Sequence, residues 1–291
     1  MSHFATIVLL EVDGNKIPSR AVIQSMVDEV MEPFSEHLEV EQYREYMSDE
    51  DIQNMAEHYK IDLSAKDARQ QIIEKIHDWH GGEGDYDEDE GRYFYWTTYN
   101  QKSKWDWYVI GGRWTGRLDG KGYEPDKDPK NMETCTYCKG TGMREDMGSI
   151  DAKGNKIFND DWARECNGCN VCHGTGKSVK WNYRAYKGDI IWAKDIPKEI
   201  TTHAILTPDG KWLENGGMGW FGIVIHENAP RIPEKPKNMS VDKFHKTKAF
   251  KEWQIENDKY RDILEQNWTK MTHLVIQQHK NAVAVMIDCH I

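Results

Sequence analysis

The sequence predicts an α+β protein, with a mixed or antiparallel sheet, packed helices and one long helix near the C-terminus. Three observations carry this expectation. Runs rich in Val, Ile and Leu stand at both ends of the chain, TIVLLEV at 6–12 and VAVMID at 283–288. Apolar residues recur at helical spacing within 17–34 and again between 240 and 270. Between those segments lie two copies of a CxxCxGxG motif, which mark an insert of different organisation.

Residues 3–12 read as a buried strand closed by the turn signal Asp13-Gly14-Asn15. In 17–34, Val22, Ile23, Met26, Val27, Val30 and Phe34 fall at helical spacing, and Pro18 with Ser19 supplies a start signal. A strand is expected within 38–47. Ser48 and Asp51 have the spacing of a capping box and predict a helix through Tyr59. A third helix is expected over 64–78, followed by an acidic, glycine-bearing loop at 81–91. The segments RYFYWTTY (92–99) and WDWYVIGGRWTGRL (105–118) read as strands, the second bent at Gly111-Gly112. Their tryptophans are expected in an aromatic core rather than in a ligand-stacking box, because large rings are ordinary core material.

A Lys/Asp/Pro-rich stretch at 119–131 marks a boundary, and the cysteine-rich module follows it. Short strands are then expected at 189–193, 203–207, 211–214 and 220–226, with Pro208-Asp209-Gly210 as a hairpin turn. Pro230, Pro233 and Pro236 stiffen a connector, and Ser240 caps a long helix to about Lys270. Phe250, Trp253, Tyr260, Leu264 and Trp268 lie near one stripe of that helix. Strands at 273–277 and 282–287 close the chain. The domain organisation expected is a body formed by 1–130 and 183–291, with 131–182 inserted between them.

Five of the six cysteines fall between Cys135 and Cys172, and such clustering favours metal ligation over disulfides where thiols are kept reduced. CxxC lets two sulfurs from one tight turn reach the same ion, and zinc prefers four thiolate or imidazole ligands in a tetrahedron. In CTYCKGTG (135–142) and CNVCHGTG (169–176), glycines follow the second Cys by two and four positions, so the chain can curl its N–H groups toward sulfur. Cys135, Cys138, Cys169 and Cys172 are therefore the expected ligands of one structural zinc ion, making the insert a zinc-knuckle β-hairpin module. Cys166 forms an overlapping pair with Cys169 and leaves a choice of ligands; the trailing GxG favours Cys169 with Cys172. A sphere filled by protein leaves no position for an activated water, so no catalytic metal chemistry is expected there.

A net charge of -11 argues against direct nucleic-acid binding, since the average surface repels phosphates. No run approaches the ~20 apolar residues of a membrane helix. The N-terminal apolar run lacks a basic lead, so a cytoplasmic protein is expected. His77 and His80, beside Glu83, Asp85, Asp87, Glu88, Asp89 and Glu90, offer ligand types for a second metal, and a metal-dependent hydrolase or nuclease is the alternative reading. The same acidic loop could imitate phosphates toward a basic partner. Cys289 and His290 are adjacent on an expected strand and should point to opposite faces.

The two cysteine repeats resemble the cysteine-rich zinc region of DnaJ-type chaperones, in which paired CxxCxGxG units form a two-knuckle hairpin around each zinc. The resemblance is confined to the insert. This chain carries fewer repeats and lacks the His-Pro-Asp signature of a J domain, so recruitment of a partner chaperone is not implied, and a holdase role is a further alternative. Outside the insert, MSHFATIVLL (1–10), LEVEQYREYM (38–47), MAEHY (55–59), DWHGGEG (78–84), KWDWYVIGGRWTG (104–116) and VMIDCHI (285–291) resemble a family of bacteriophage and prophage proteins. That resemblance spans both ends and implies one composite body interrupted by the zinc module. Size and acidity are also similar to those of phage anti-defence proteins, including inhibitors of the Gabija complex. The resemblance thus implies a non-enzymatic, homo-oligomeric protein of the host bacterial cytoplasm that binds and inhibits a host bacterial defence complex through protein contacts.

Overall fold

A computed structural model describes residues 3–180, 186–216 and 228–291. The strand expected at 220–226 lies outside them. Strand β1 (His3–Leu10) is buried from Ala5 onward. Helix α1 (Arg20–Met31) starts just after Pro18 and Ser19, and buries Ile23, Val27 and Met31, one residue in four. β2 (Tyr43–Tyr46) is shorter than expected. α2 (Asp49–Tyr59) opens with the capping box: Asp51 N donates to Ser48 Oγ at 3.1 Å and Ser48 N to Asp51 Oδ2 at 3.2 Å. α3 (Ala68–His80) ends where Gly81 turns left-handed at φ 76.

The acidic segment expected as a loop contains β3 (Gly84–Asp87), which forms a hairpin with β4 (Arg92–Thr97). Asp is depleted in strands, so composition hid this one. Gly84 lets it pass close to α3, since a Cβ there would stand 2.4 Å from Ile76 Cγ2. β5 (Trp107–Ile110) is likewise shorter than the strand expected to Leu118. Gly111 and Gly112, at φ 82 and 52, end it and lead into a 3-10 turn, Gly112–Trp114.

The insert holds β6 (Met132–Thr134), β7 (Gly148–Ile150), β8 (Lys156–Phe158), α4 (Asp161–Glu165) and β9 (Lys177–Val179). β10 (Ile190–Trp192), β11 (Ala204–Leu206) and β12 (Trp212–Glu214) follow, with the expected turn closed by Thr207 N donating to Lys211 O at 3.0 Å. Ser240 precedes only a short helix, α5 (Val241–His245). The long helix, α6 (Lys248–Gln278), is capped by Thr247, whose Oγ1 accepts from Phe250 N. Its 31 residues include 273–277, where a strand was expected. Buried Thr272 and Ile276 extend the stripe begun by Trp253, Asn257 and Trp268, so the amphipathic face overrides the local β-branched preference. β13 (Val283–His290) ends the fold.

The chain divides into two compact units, Met1–Val30 with Tyr108–His290, and Met31–Trp107 with Ile291. The first contains a mixed sheet in the order β10-β13-β1-β11-β12, with β5 also paired to β13. β1 and β13 run antiparallel from His3↔His290 to Leu10↔Val283, and β11 lies parallel to β1. One sheet face presents Ala5, Ile7, Leu9, Ile205, Ala284 and Met286, which pack with Leu118, Ile196 and Ile276 of α6. Each fully buried aliphatic side chain contributes roughly 1.5–3 kcal/mol.

The second unit is a three-stranded sheet, β2-β4-β3, with α2 and α3. Met47, Met55, Ile72 and Ile76 form its core, with Tyr93, Tyr95 and Trp79 packed on it. Among the described residues no helix is long and apolar enough to cross a membrane.

Candidate metal centre

The insert begins and ends in an antiparallel pair, β6 with β9, in the register Thr134↔Lys177 and Met132↔Val179. Beyond this stem the two cysteine motifs adopt matching conformations. Lys139 and His173, one residue past each second cysteine, are left-handed at φ 53 and 46, and each is followed by a left-handed glycine, Gly140 or Gly174. Thr141 and Thr175 then fold back, their Oγ1 atoms donating to Cys138 O at 2.6 Å and Cys172 O at 2.7 Å. The curl brings Gly142 N to 3.2 Å from Cys138 Sγ and Gly176 N to 3.3 Å from Cys172 Sγ. A buried sulfur carrying charge is stabilised by such donors.

The knuckles interlock through their last glycines. A Cβ on Gly142 would stand 2.4 Å from Gly174 O, and one on Gly176 would stand 2.3 Å from Gly140 O. Only glycine permits this approach, which explains the GxG in both copies.

Cys135, Cys138, Cys169 and Cys172 are buried, and their four sulfurs lie within 4.8 Å of one another. Cys135 Sγ is 3.9 Å from Cys169 Sγ, and Cys138 Sγ is 3.6 Å from Cys172 Sγ. Sulfurs bonded at ~2.3 Å around a tetrahedral ion stand roughly 3.8 Å apart, whereas a disulfide requires ~2.05 Å. The four cysteines are thus positioned to hold a metal ion. Burial pushes the Cys169 thiol up to about 11. At Cys172 burial is again the largest single effect, but hydrogen bonds from the Gly176 and Gly174 backbone and from Cys169 and Cys138 together outweigh it, and the thiol falls to about 7.

No protein-family model, curated protein or solved structure matches this chain.

Cys166, half-buried at the C-terminus of α4, lies outside the four-sulfur group. Cys289 and His290 do face opposite ways: Cys289 Sγ contacts Thr6 Oγ1, while the His290 ring meets His3.

Among the described residues the four cysteines are the only group of three or more ligand-type side chains close enough for one ion. His77 and His80 are not gathered with the acidic segment. His80 stacks on Tyr95 with ring centroids 4.0 Å apart, and burial lowers its pKa. Asp87 instead accepts from Tyr46 Oη and Arg44, while Glu88 pairs with Arg69.

Sequence reasoning missed two buried carboxylates, Asp189 and Asp288. Asp189 accepts from Gly116 N at 2.9 Å, and Asp288 accepts from Arg113 N at 2.9 Å. Side-chain Cβ atoms on Gly111 or Gly112 would stand 2.5 Å from Asp189 Oδ2 or 2.4 Å from Asp288 Oδ2. The signal was present in the polar residue of an otherwise apolar strand, VMIDCHI, and in the paired glycines, which had suggested only a bend.

Proposed function

We propose that the four cysteines bind one structural zinc ion and that the chain is a non-enzymatic binding protein whose zinc-built insert contacts a partner protein. The observation that carries this reading is the insert's surface. Tyr137 and Val171, at the same place in the two knuckles, are exposed, as are Ile150, Ile157 and Trp162. Large apolar side chains held in solvent by a rigid frame suit protein contact. With four protein sulfurs available, zinc would build shape rather than activate water.

Charge distribution supports the same reading. Residues 132–180 carry seven acidic and seven basic side chains, while Met31–Trp107 carry twenty acidic against eight basic, more than the whole chain's net excess. A balanced insert can approach a partner without net repulsion, and the acidic unit suits a partner with a basic face. The resemblance of the outer motifs to phage proteins supplies the class of partner, a host bacterial defence complex such as Gabija, in the host cytoplasm. Exposed Ile255, Ile263 and Leu274 on α6 support self-association.

The test combines metal analysis with binding to purified defence complex, followed by light scattering. Wild-type protein should carry one zinc per chain and form a complex of defined mass. The double variant Cys135→Ser, Cys138→Ser should lose zinc, expose the insert to protease, keep the body folded and bind at least tenfold more weakly. Unchanged binding after demonstrated zinc loss refutes the insert's role.

A further inference from the structure

Along β1 and β13, the sheet face packed on α6 is apolar from Leu9 to Ala5 and from Ala284 to Met286, then changes character. Its last positions are Asp288, His3 and His290, all shielded from solvent within or beside the core. His3 Nδ1 lies 3.0 Å from Asp288 Oδ1, with side-chain exposures of 8% and 3%. A carboxylate only accepts, so Nδ1 donates and Asp288 fixes the orientation of the ring. Asp288 is itself fixed by Arg113 N, against a glycine that leaves no room for a side chain. A buried carboxylate costs stability unless it is well bonded, and Asp288 meets that need through Arg113 N on one oxygen and His3 on the other.

His3 lines a cleft of about 760 Å³, within the ordinary range for small-molecule sites. Trp114, Arg117, Thr202, Trp268 and Lys270 line it too. The Arg117 guanidinium sits 4.5 Å from the Trp114 ring centroid, in a cation–π contact. Among the described residues neither Arg117 nor Lys270 has an ion-pair partner, although the chain has 49 acidic side chains against 38 basic ones. The acidic residues lining the cleft are Asp262 and Glu265, the latter 3.8 Å from Arg261.

We propose that this cleft binds a small organic carboxylate, with Arg117 contacting the carboxylate, the Asp288-oriented His3 ring forming part of the wall, and the Trp114 and Trp268 side chains contacting an apolar body. Arg117 presents a planar donor fork of the kind that matches a carboxylate. A phosphate dianion fits less well, because Asp262 and Glu265 border the same space and repel a second negative charge.

The test uses the whole 291-residue chain, supplied with zinc, and titrates phenylacetate and indole-3-acetate, their neutral amides, and inorganic phosphate, read by calorimetry and ligand-observed NMR. Saturable binding of a carboxylate, at least roughly tenfold tighter than its amide, is expected. Arg117→Gln should weaken it by a similar factor, while Arg164→Gln on the insert should not. Arg117 is exposed, so its variant should keep the wild-type melting temperature. Absence of saturable binding by both acids, equal binding of acid and amide, tighter binding of phosphate, or indifference to Arg117→Gln overturns the proposal.

Discussion

Replacing Gly142 by alanine tests the metal centre through its backbone, without touching a ligand. Gly142 sits at φ 73, where a side chain costs roughly 1–2 kcal/mol. The added Cβ would also stand 2.4 Å from Gly174 O and 2.9 Å from Gly174 C. Ordinary carbon–oxygen contacts are about 3.3 Å or longer, so the two knuckles must separate by about 1 Å there. A tetrahedral zinc site tolerates deviations of only about 0.2 Å in ligand distance. The Cys138–Cys172 and Cys135–Cys169 separations of 3.6 and 3.9 Å suit a tetrahedral ion, so splaying would strain the bonds of a zinc held there. Disturbed supporting contacts around metal ligands typically weaken binding about 10–100-fold, and that is the expected loss. Gly154→Ala is the control, because Gly154 has a similar φ of 84 with nothing near its would-be Cβ. Competition against a chromogenic zinc chelator reads both variants. If Gly142→Ala holds zinc as tightly as Gly154→Ala, the interlock of the knuckles does not support the metal site.

Cys166→Ser should leave zinc content and affinity unchanged, whereas Cys169→Ser should lose the ion; metal analysis with the reverse pattern would move the ligand set to the overlapping pair. Burial raises the Asp189 carboxyl to about 6, so the native state holds this proton to higher pH than the unfolded chain does. Stability from this group is therefore greatest below about pH 4 and declines as pH rises through 6, a difference of roughly 3 kcal/mol. Asp189→Asn removes that dependence. Urea midpoints of wild type and variant should diverge in slope between pH 4 and 7, and parallel profiles would show that Asp189 is not held in this way.

The cluster of four cysteine sulfurs was legible in the sequence because its geometry is local. Two residues between cysteines, and glycines at fixed offsets after them, determine a turn whose N–H groups face sulfur, and no distant residue is needed to form it. The capping box at Ser48 and the α1 stripe were legible for the same reason, since each is settled within one or two turns of chain. The choice of Cys169 over Cys166 came from that same local glycine pattern.

Elements whose fate depends on distant partners were read wrongly. Residues 273–277 have β-branched character, yet the face begun at Trp253 continues through Ile276 into the core beneath β1, and burial decides in favour of helix. The segment after Ile110 looks like a continuing strand, but Asp288 and Asp189 occupy the space its side chains would need, so only the two glycines can pass and the chain turns. Acidic residues disguised β3, whose pairing with β4 overrides a poor intrinsic preference. The amino-acid sequence by itself determined the α+β class, the main helices and the four sulfurs, all products of short-range spacing. Only the tertiary structure decided where the strands end and that Asp288 orients His3 at the mouth of a cleft, because those outcomes depend on residues up to 285 positions apart competing for the same space.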